Sequence, residues 1–300
     1  NMQQYIYGNF HHAGFRTVSS DTSNFFMEQA DKLLPMMAYD SETNHGELQT
    51  GEHKSFWMQI TDLKIPGGRD YLFVQESGLD PFRVATVVQG YRSDAEDSDE
   101  VLFGSAFTDL LGIRFVPNQE ALKNGEDNNV RRVPFADLPK DAVTAATLSP
   151  EALEMILLAL FQKKRTIIRI PALGADAMIR SKQYLKAIYQ CLPYEKRRNN
   201  GCITGASKKM ITQYKSFRIL LLDADTDATN IATNDYQAFF DMKSGTLETA
   251  QQSESIPLVT FLVHATQEQR DNFFRYCRKS LAEDGVKGDP DIEKYDRGYY

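Results

Sequence analysis

Helix and strand patterns alternate along residues 149–227, and this alternation constrains the fold more than any other feature of the sequence. Ser149 followed by Pro150 is typical of a helix start, because serine accepts a hydrogen bond from a free backbone N–H and proline at the first helical position loses no bond. The β-branched run 166–170 predicts a strand, and the almost wholly apolar run 217–222 predicts another in the middle of the sheet, with a second helix between them. The alternation predicts an α/β fold with some α+β character, built on a mixed sheet.

Further patterns extend this prediction along the second half of the chain. Basic residues at 163–165 are expected to close the first helix with positive charge at its negative end. Residues 201–205 and the apolar run 256–263 are predicted to be strands. Thr266 with Gln269 three residues later forms a capping-box pattern, which predicts the start of a final helix.

Strand patterns dominate residues 2–95. Segments 4–7 and 14–18 are predicted to be a first pair of strands, and 55–65 and 70–75 flank a glycine-containing turn that is typical of a hairpin. Helices are expected at 25–34 and 101–111 as well.

Length and composition limit the classes of protein to which the chain can belong. Three hundred residues favour two domains, which we assign as a β-rich amino-terminal domain with a linker at 2–146 and an α/β domain at 147–300. The net charge of −7 argues against a nucleic-acid-binding protein, which usually carries a basic excess. No apolar run reaches the roughly 18 residues of a membrane span. Three cysteines do not make a disulfide framework, so we expect a cytoplasmic protein.

An acidic turn is the strongest candidate for a catalytic or metal site. Asp223, Asp225 and Asp227 follow the apolar strand at 217–222, and α/β proteins tend to bind ligands where strands end. The first two resemble the aspartate motif of haloacid-dehalogenase-like phosphatases, which implies a nucleophile, an acid and a bound magnesium ion. That motif has threonine or valine where Asp227 stands. The alternative is a solvated acidic turn with no chemistry, and this is the interpretation we favour.

A basic run is the candidate for binding an anion or an acidic partner. Lys196, Arg197 and Arg198 are consecutive, and their alternative role is that of a charged helix exit. The histidines show no zinc-ligand spacing, so no histidine metal site is predicted.

Several short segments carry a family resemblance when they are considered together. They are Gln-Tyr-Ile-Tyr-Gly at 4–8, Ala-Gly-Phe-Arg-Thr-Val-Ser-Ser at 13–20, and the sequence at 192–198 that leads into Gly-Cys-Ile-Thr-Gly at 201–205. This arrangement resembles the GTPase-associated adaptor proteins of bacterial conflict systems. The resemblance implies a non-catalytic scaffold that links a GTPase or another NTPase to effector domains. It implies no catalytic residues and no cofactor.

The sequence therefore leads to one main hypothesis and two others. The main hypothesis is an intracellular bacterial interaction module without cofactors, which binds a protein partner. The alternative is a magnesium-dependent phosphoryl-transfer enzyme that uses Asp223 and Asp225. A third hypothesis is a sensor of a small ligand, which requires a pre-formed pocket.

Overall fold

The computed structural model describes residues 2–9, 15–20, 56–60, 68–80, 85–94, 143–193, 196–197, 200–204, 211, 217–229, 231, 237–242, 255–285 and 292 of the chain, and for the ranges up to residue 94 it describes the backbone alone. The chain divides into two compact units. One unit comprises residues 1–143 with 203–207, and the other comprises residues 144–202 with 208–300.

The described residues of the first unit up to residue 94 form five antiparallel strands. In chain order these are β1 (Met2–Asn9), β2 (Phe15–Ser20), β3 (Phe56–Ile60), β4 (Gly68–Asp80) and β5 (Ala85–Asp94). Their order in space is β2-β1-β5-β4-β3. The expectation of a β-rich domain over 2–146 covers more than these strands and stays a prediction. The helices expected at 25–34 and 101–111 lie outside the described residues.

The second unit is an α/β structure, as the sequence predicts. Its elements are α1 (Pro150–Phe161), β6 (Arg165–Arg169), α2 (Gly174–Tyr189), β7 (Cys202–Ile203), β8 (Ile219–Leu222), β9 (Gln237–Asp241), α3 (Pro257–His264) and α4 (Gln267–Glu283). Of β7, Cys202 belongs to this unit and Ile203 to the first. The strand order is β7-β8-β6-β9, so β8 lies inside this four-stranded sheet, and all four of its residues are buried. Helix α1 packs against β6, α2 and α3.

The strands of this sheet are parallel, which corrects the expectation of a mixed sheet. Ile168 of β6 lies opposite Leu221 of β8 on one side and Phe240 of β9 on the other, and both pairings are parallel. Parallel neighbours require a connection that returns the chain to the same end of the sheet, and α2 begins such a return after β6. An apolar pattern indicates that a strand is buried, but it does not indicate in which direction the strand runs. The sequence therefore could not show that these strands are parallel.

The first helix begins as predicted and ends differently. Ser149 Oγ accepts a hydrogen bond from the backbone N–H of Ala152 at 3.1 Å. At the other end, Lys163 has a positive φ of 58°, and Lys164 N–H donates to the carbonyl oxygen of Ala159 at 2.9 Å. This bond closes the helix through its backbone, and Arg165 already belongs to β6. Lys163 and Lys164 therefore follow directly after the C-cap, Gln162, and not within the last turn.

The apolar segment predicted as a last strand is a helix, α3. Pro257 lies in its first turn, where proline costs no hydrogen bond. Leu258, Val259 and Leu262 are buried, whereas Thr260 is exposed and donates to Glu154 of α1 at 3.0 Å. An apolar run of this length does not distinguish a buried strand from a buried helix, because no alternation is visible when nearly every residue is apolar.

The predicted start of the final helix, α4, is confirmed by its hydrogen bonds. Gln269 N–H donates to Thr266 Oγ1 at 3.2 Å, and Thr266 N–H donates to Gln269 Oε1 at 2.8 Å. This reciprocal pair of bonds is a capping box. Phe273, Cys277 and Leu281 form the buried face of the helix. Within the described ranges, no helix combines the length and the apolar character that crossing a membrane requires.

Candidate functional site

The carboxyl edge of the parallel sheet is the place where an α/β unit usually binds a ligand. The last residue of β6, Arg169, lies in register with Leu222 of β8 and Asp241 of β9. Backbone bonds continue beyond the strands: Met242 N–H donates to the Arg169 carbonyl oxygen, and Ala224 N–H donates to that of Ala172, both at 2.9 Å. The chain segments that follow β6, β8 and β9 therefore begin next to one another.

An ion pair between Arg169 and Asp241 occupies this edge. Arg169 Nε donates to Asp241 Oδ1 at 3.1 Å, and Arg169 Nη2 donates to Asp241 Oδ2. The third nitrogen, Nη1, lies 3.4 Å from the carbonyl oxygen of Thr226, in the turn after β8. The guanidinium also lies over the ring of Phe239, 5.8 Å from its centroid. Arg169 thus connects β6, β9 and the turn after β8.

This ion pair is largely removed from water. The Arg169 side chain is 22% exposed and that of Asp241 is 9% exposed. A planar guanidinium that holds a carboxylate through two parallel N–H bonds is the strongest common form of side-chain ion pair. Because the charges neutralise each other within the chain, the arrangement is typical of a structural connection between strands.

The three aspartates of the acidic turn differ in their exposure to water. Asp223 is buried, whereas Asp225 and Asp227 are exposed. The Asp227 carboxylate accepts the backbone N–H of Thr229 at 2.8 Å, which is a local turn contact. Within the described residues, no group of three histidine, cysteine, aspartate or glutamate side chains is placed to hold a metal ion.

The strand register relates the acidic turn to the ion pair. Side chains alternate between the two faces of a strand, and Arg169, Leu222 and Asp241 are in register on one face. Asp223 follows Leu222 directly and is the first residue beyond β8.

Two of the three predicted anion-binding residues have partners within the chain. Lys196 and Arg197 are both buried. The ammonium of Lys196 lies 5.4 Å from the ring centroid of Phe161, and Arg197 Nε donates to the carbonyl oxygen of Tyr189 at 2.8 Å. Arg198 lies outside the described residues. A binding role for this run stays a prediction, and the contacts of Lys196 and Arg197 favour the structural alternative.

The same region contains a small buried network of hydrogen bonds. The Tyr189 hydroxyl donates to the carbonyl oxygen of Asn200 at 2.6 Å, and Asn200 Nδ2 donates to that of Lys196 at 2.6 Å. The guanidinium of Arg197 lies 5.9 Å from the ring centroid of Phe274 in α4. These contacts connect the end of α2 to the chain that leads into β7, and they account for polar residues in a buried position.

The three cysteines are buried thiols. Burial raises the pKa of Cys191 above its usual value, although the positive charges of Arg270 and Arg197 act in the opposite direction. A raised pKa keeps the thiol protonated at neutral pH, and the protonated form is a poor nucleophile. Cys191 is therefore not placed to act as a catalytic nucleophile.

Two exposed aliphatic side chains are the feature that the sequence analysis missed. Leu173 is 54% exposed and Ile179 is 56% exposed, and they are the only large hydrophobic residues with such exposure in the described part of the chain. Leu173 precedes the first residue of α2 and Ile179 lies in its second turn. Asp176, between them in the sequence, is exposed as well, so the start of this helix has several exposed side chains. The residue types were visible in the sequence, but their exposure was not.

No protein-family model matches this chain, and no curated protein shows significant sequence similarity to it.

Proposed function

We propose that this chain is a non-catalytic interaction module of the cytoplasm that binds a protein partner rather than nucleic acid. In this proposal a β-rich domain at 2–146 accompanies the α/β domain at 147–300. The partner is a GTPase or another NTPase of a bacterial defence system, which is the class that the family resemblance implies. The exposed aliphatic pair Leu173 and Ile179 is the observation that carries the proposal.

The position of this pair supports binding rather than catalysis. Leu173 follows the loop after β6, which is bonded to the turn after β8 through Ala224 and Ala172. Leu173 therefore lies beside the carboxyl edge, where the charged groups of Arg169 and Asp241 form an ion pair. Leu173 thus offers apolar contact area next to this edge.

The size of the expected effect follows from the exposed area. Complete burial of a leucine or isoleucine side chain contributes about 1.5–3 kcal/mol, so covering the exposed half of each contributes roughly 1 kcal/mol. Covering both side chains then contributes about 2 kcal/mol, which corresponds to roughly a 30-fold change in the dissociation constant. Two charges in place of these side chains should weaken binding by at least that factor.

The test is a pull-down from native lysate with three forms of the tagged chain, analysed by mass spectrometry. The forms are the wild type, the double variant Leu173→Lys with Ile179→Lys, and the control Ala282→Lys, which adds charge at an exposed position of α4. We expect one stoichiometric partner with the wild type and the control, and loss of that partner with the double variant. Capture of no partner by the wild type would reject the interaction module. Equal capture by all three would reject this surface. Circular dichroism of the three forms checks that each is folded.

The alternative, a magnesium-dependent phosphoryl-transfer enzyme, has less support. It requires both Asp223 and Asp225 to bind the same metal ion, but Asp223 is buried and Asp225 is exposed to water. Its test is hydrolysis of a generic phosphomonoester with and without magnesium by the wild type and by Asp223→Asn. Magnesium-dependent activity that disappears in a folded Asp223→Asn variant would favour the enzyme over the interaction module.

A further inference from the structure

We draw no further inference here: the strongest candidate, the exposed apolar pair Leu173 and Ile179 at the start of α2, belongs to the surface already described, and nothing in the described residues shows what covers it.

Discussion

Replacing Arg169 by methionine tests whether the ion pair at the carboxyl edge holds the parallel sheet together. Methionine keeps a long unbranched side chain over the ring of Phe239 but cannot donate to Asp241 or to the Thr226 carbonyl oxygen. The variant leaves the carboxylate of Asp241 without its guanidinium partner in a site where that side chain is only 9% exposed.

The expected cost follows from these contacts. Removing one partner of a buried ion pair costs about 3–5 kcal/mol, because the remaining charge is desolvated without compensation. Arg169 is 22% exposed, so water can partly solvate the site, and the lower end of that range applies. The Thr226 contact of 3.4 Å is long and adds little. We therefore expect Arg169→Met to lower the free energy of unfolding by about 3 kcal/mol, or the melting temperature by roughly 6–12 °C.

The measurement is urea and thermal unfolding followed by far-ultraviolet circular dichroism, with a double-mutant cycle. Asp241→Asn and the double variant complete the cycle. Because the double variant leaves no uncompensated charge, its cost should be smaller than the sum of the single costs by at least about 1 kcal/mol. The control is Lys279→Met, which breaks the exposed Lys279–Glu283 pair and should cost less than about 0.5 kcal/mol. Additivity within roughly 0.5 kcal/mol, or an effect of Arg169→Met no larger than the control, would refute the structural role of the pair.

The remaining predictions concern a helix cap, a thiol and the core. Thr266→Ala should lower the free energy of unfolding by about 1 kcal/mol, because α4 loses its capping box, and urea unfolding measures this cost. Cys191 should resist a thiol reagent at neutral pH until the chain unfolds. Because burial raises its pKa, the thiol ionises at lower pH in the unfolded chain, and the free energy of unfolding should fall as pH rises above about 9. Rapid labelling of the native protein, or an alkaline stability loss identical in Cys191→Ala, would contradict this. Leu221→Ala in buried β8 should cost about 2–5 kcal/mol and Ile179→Ala less than about 0.5 kcal/mol, so equal unfolding midpoints for the two variants would contradict the burial assigned to them.

Local chemistry explains why the helix starts could be predicted. Ser149 and Thr266 cap their helices through side-chain oxygens that reach backbone N–H groups within three residues. Such bonds depend only on neighbouring residues, so a short sequence pattern is sufficient. The strand predicted over 217–222 is present as β8 at Ile219–Leu222. Its burial was predictable, because only a strand covered on both faces accepts an almost wholly apolar run.

The errors concern features that depend on distant parts of the chain. Residues 256–263 have the composition of a strand, but they form α3, whose buried residues pack inside the unit and whose Thr260 bonds to α1. The sheet is parallel where it was expected to be mixed, because strand direction depends on how each connection returns. The ion pair of the candidate site could not be predicted for the same reason. Arg169 and Asp241 are separated by 72 positions, and no local sequence pattern relates them.

The sequence by itself determined the α/β class of the second half of the chain, the buried strands and the capped helix starts. These features follow from hydrophobic patterns and from hydrogen bonds between near neighbours. Only the tertiary structure decided the strand order and which charged groups have partners. It placed Lys196 and Arg197 inside the unit and Leu173 and Ile179 on its surface, against what residue type suggests. Residue type determines the free energy of transfer from water, but the position of each side chain depends on how the whole chain packs.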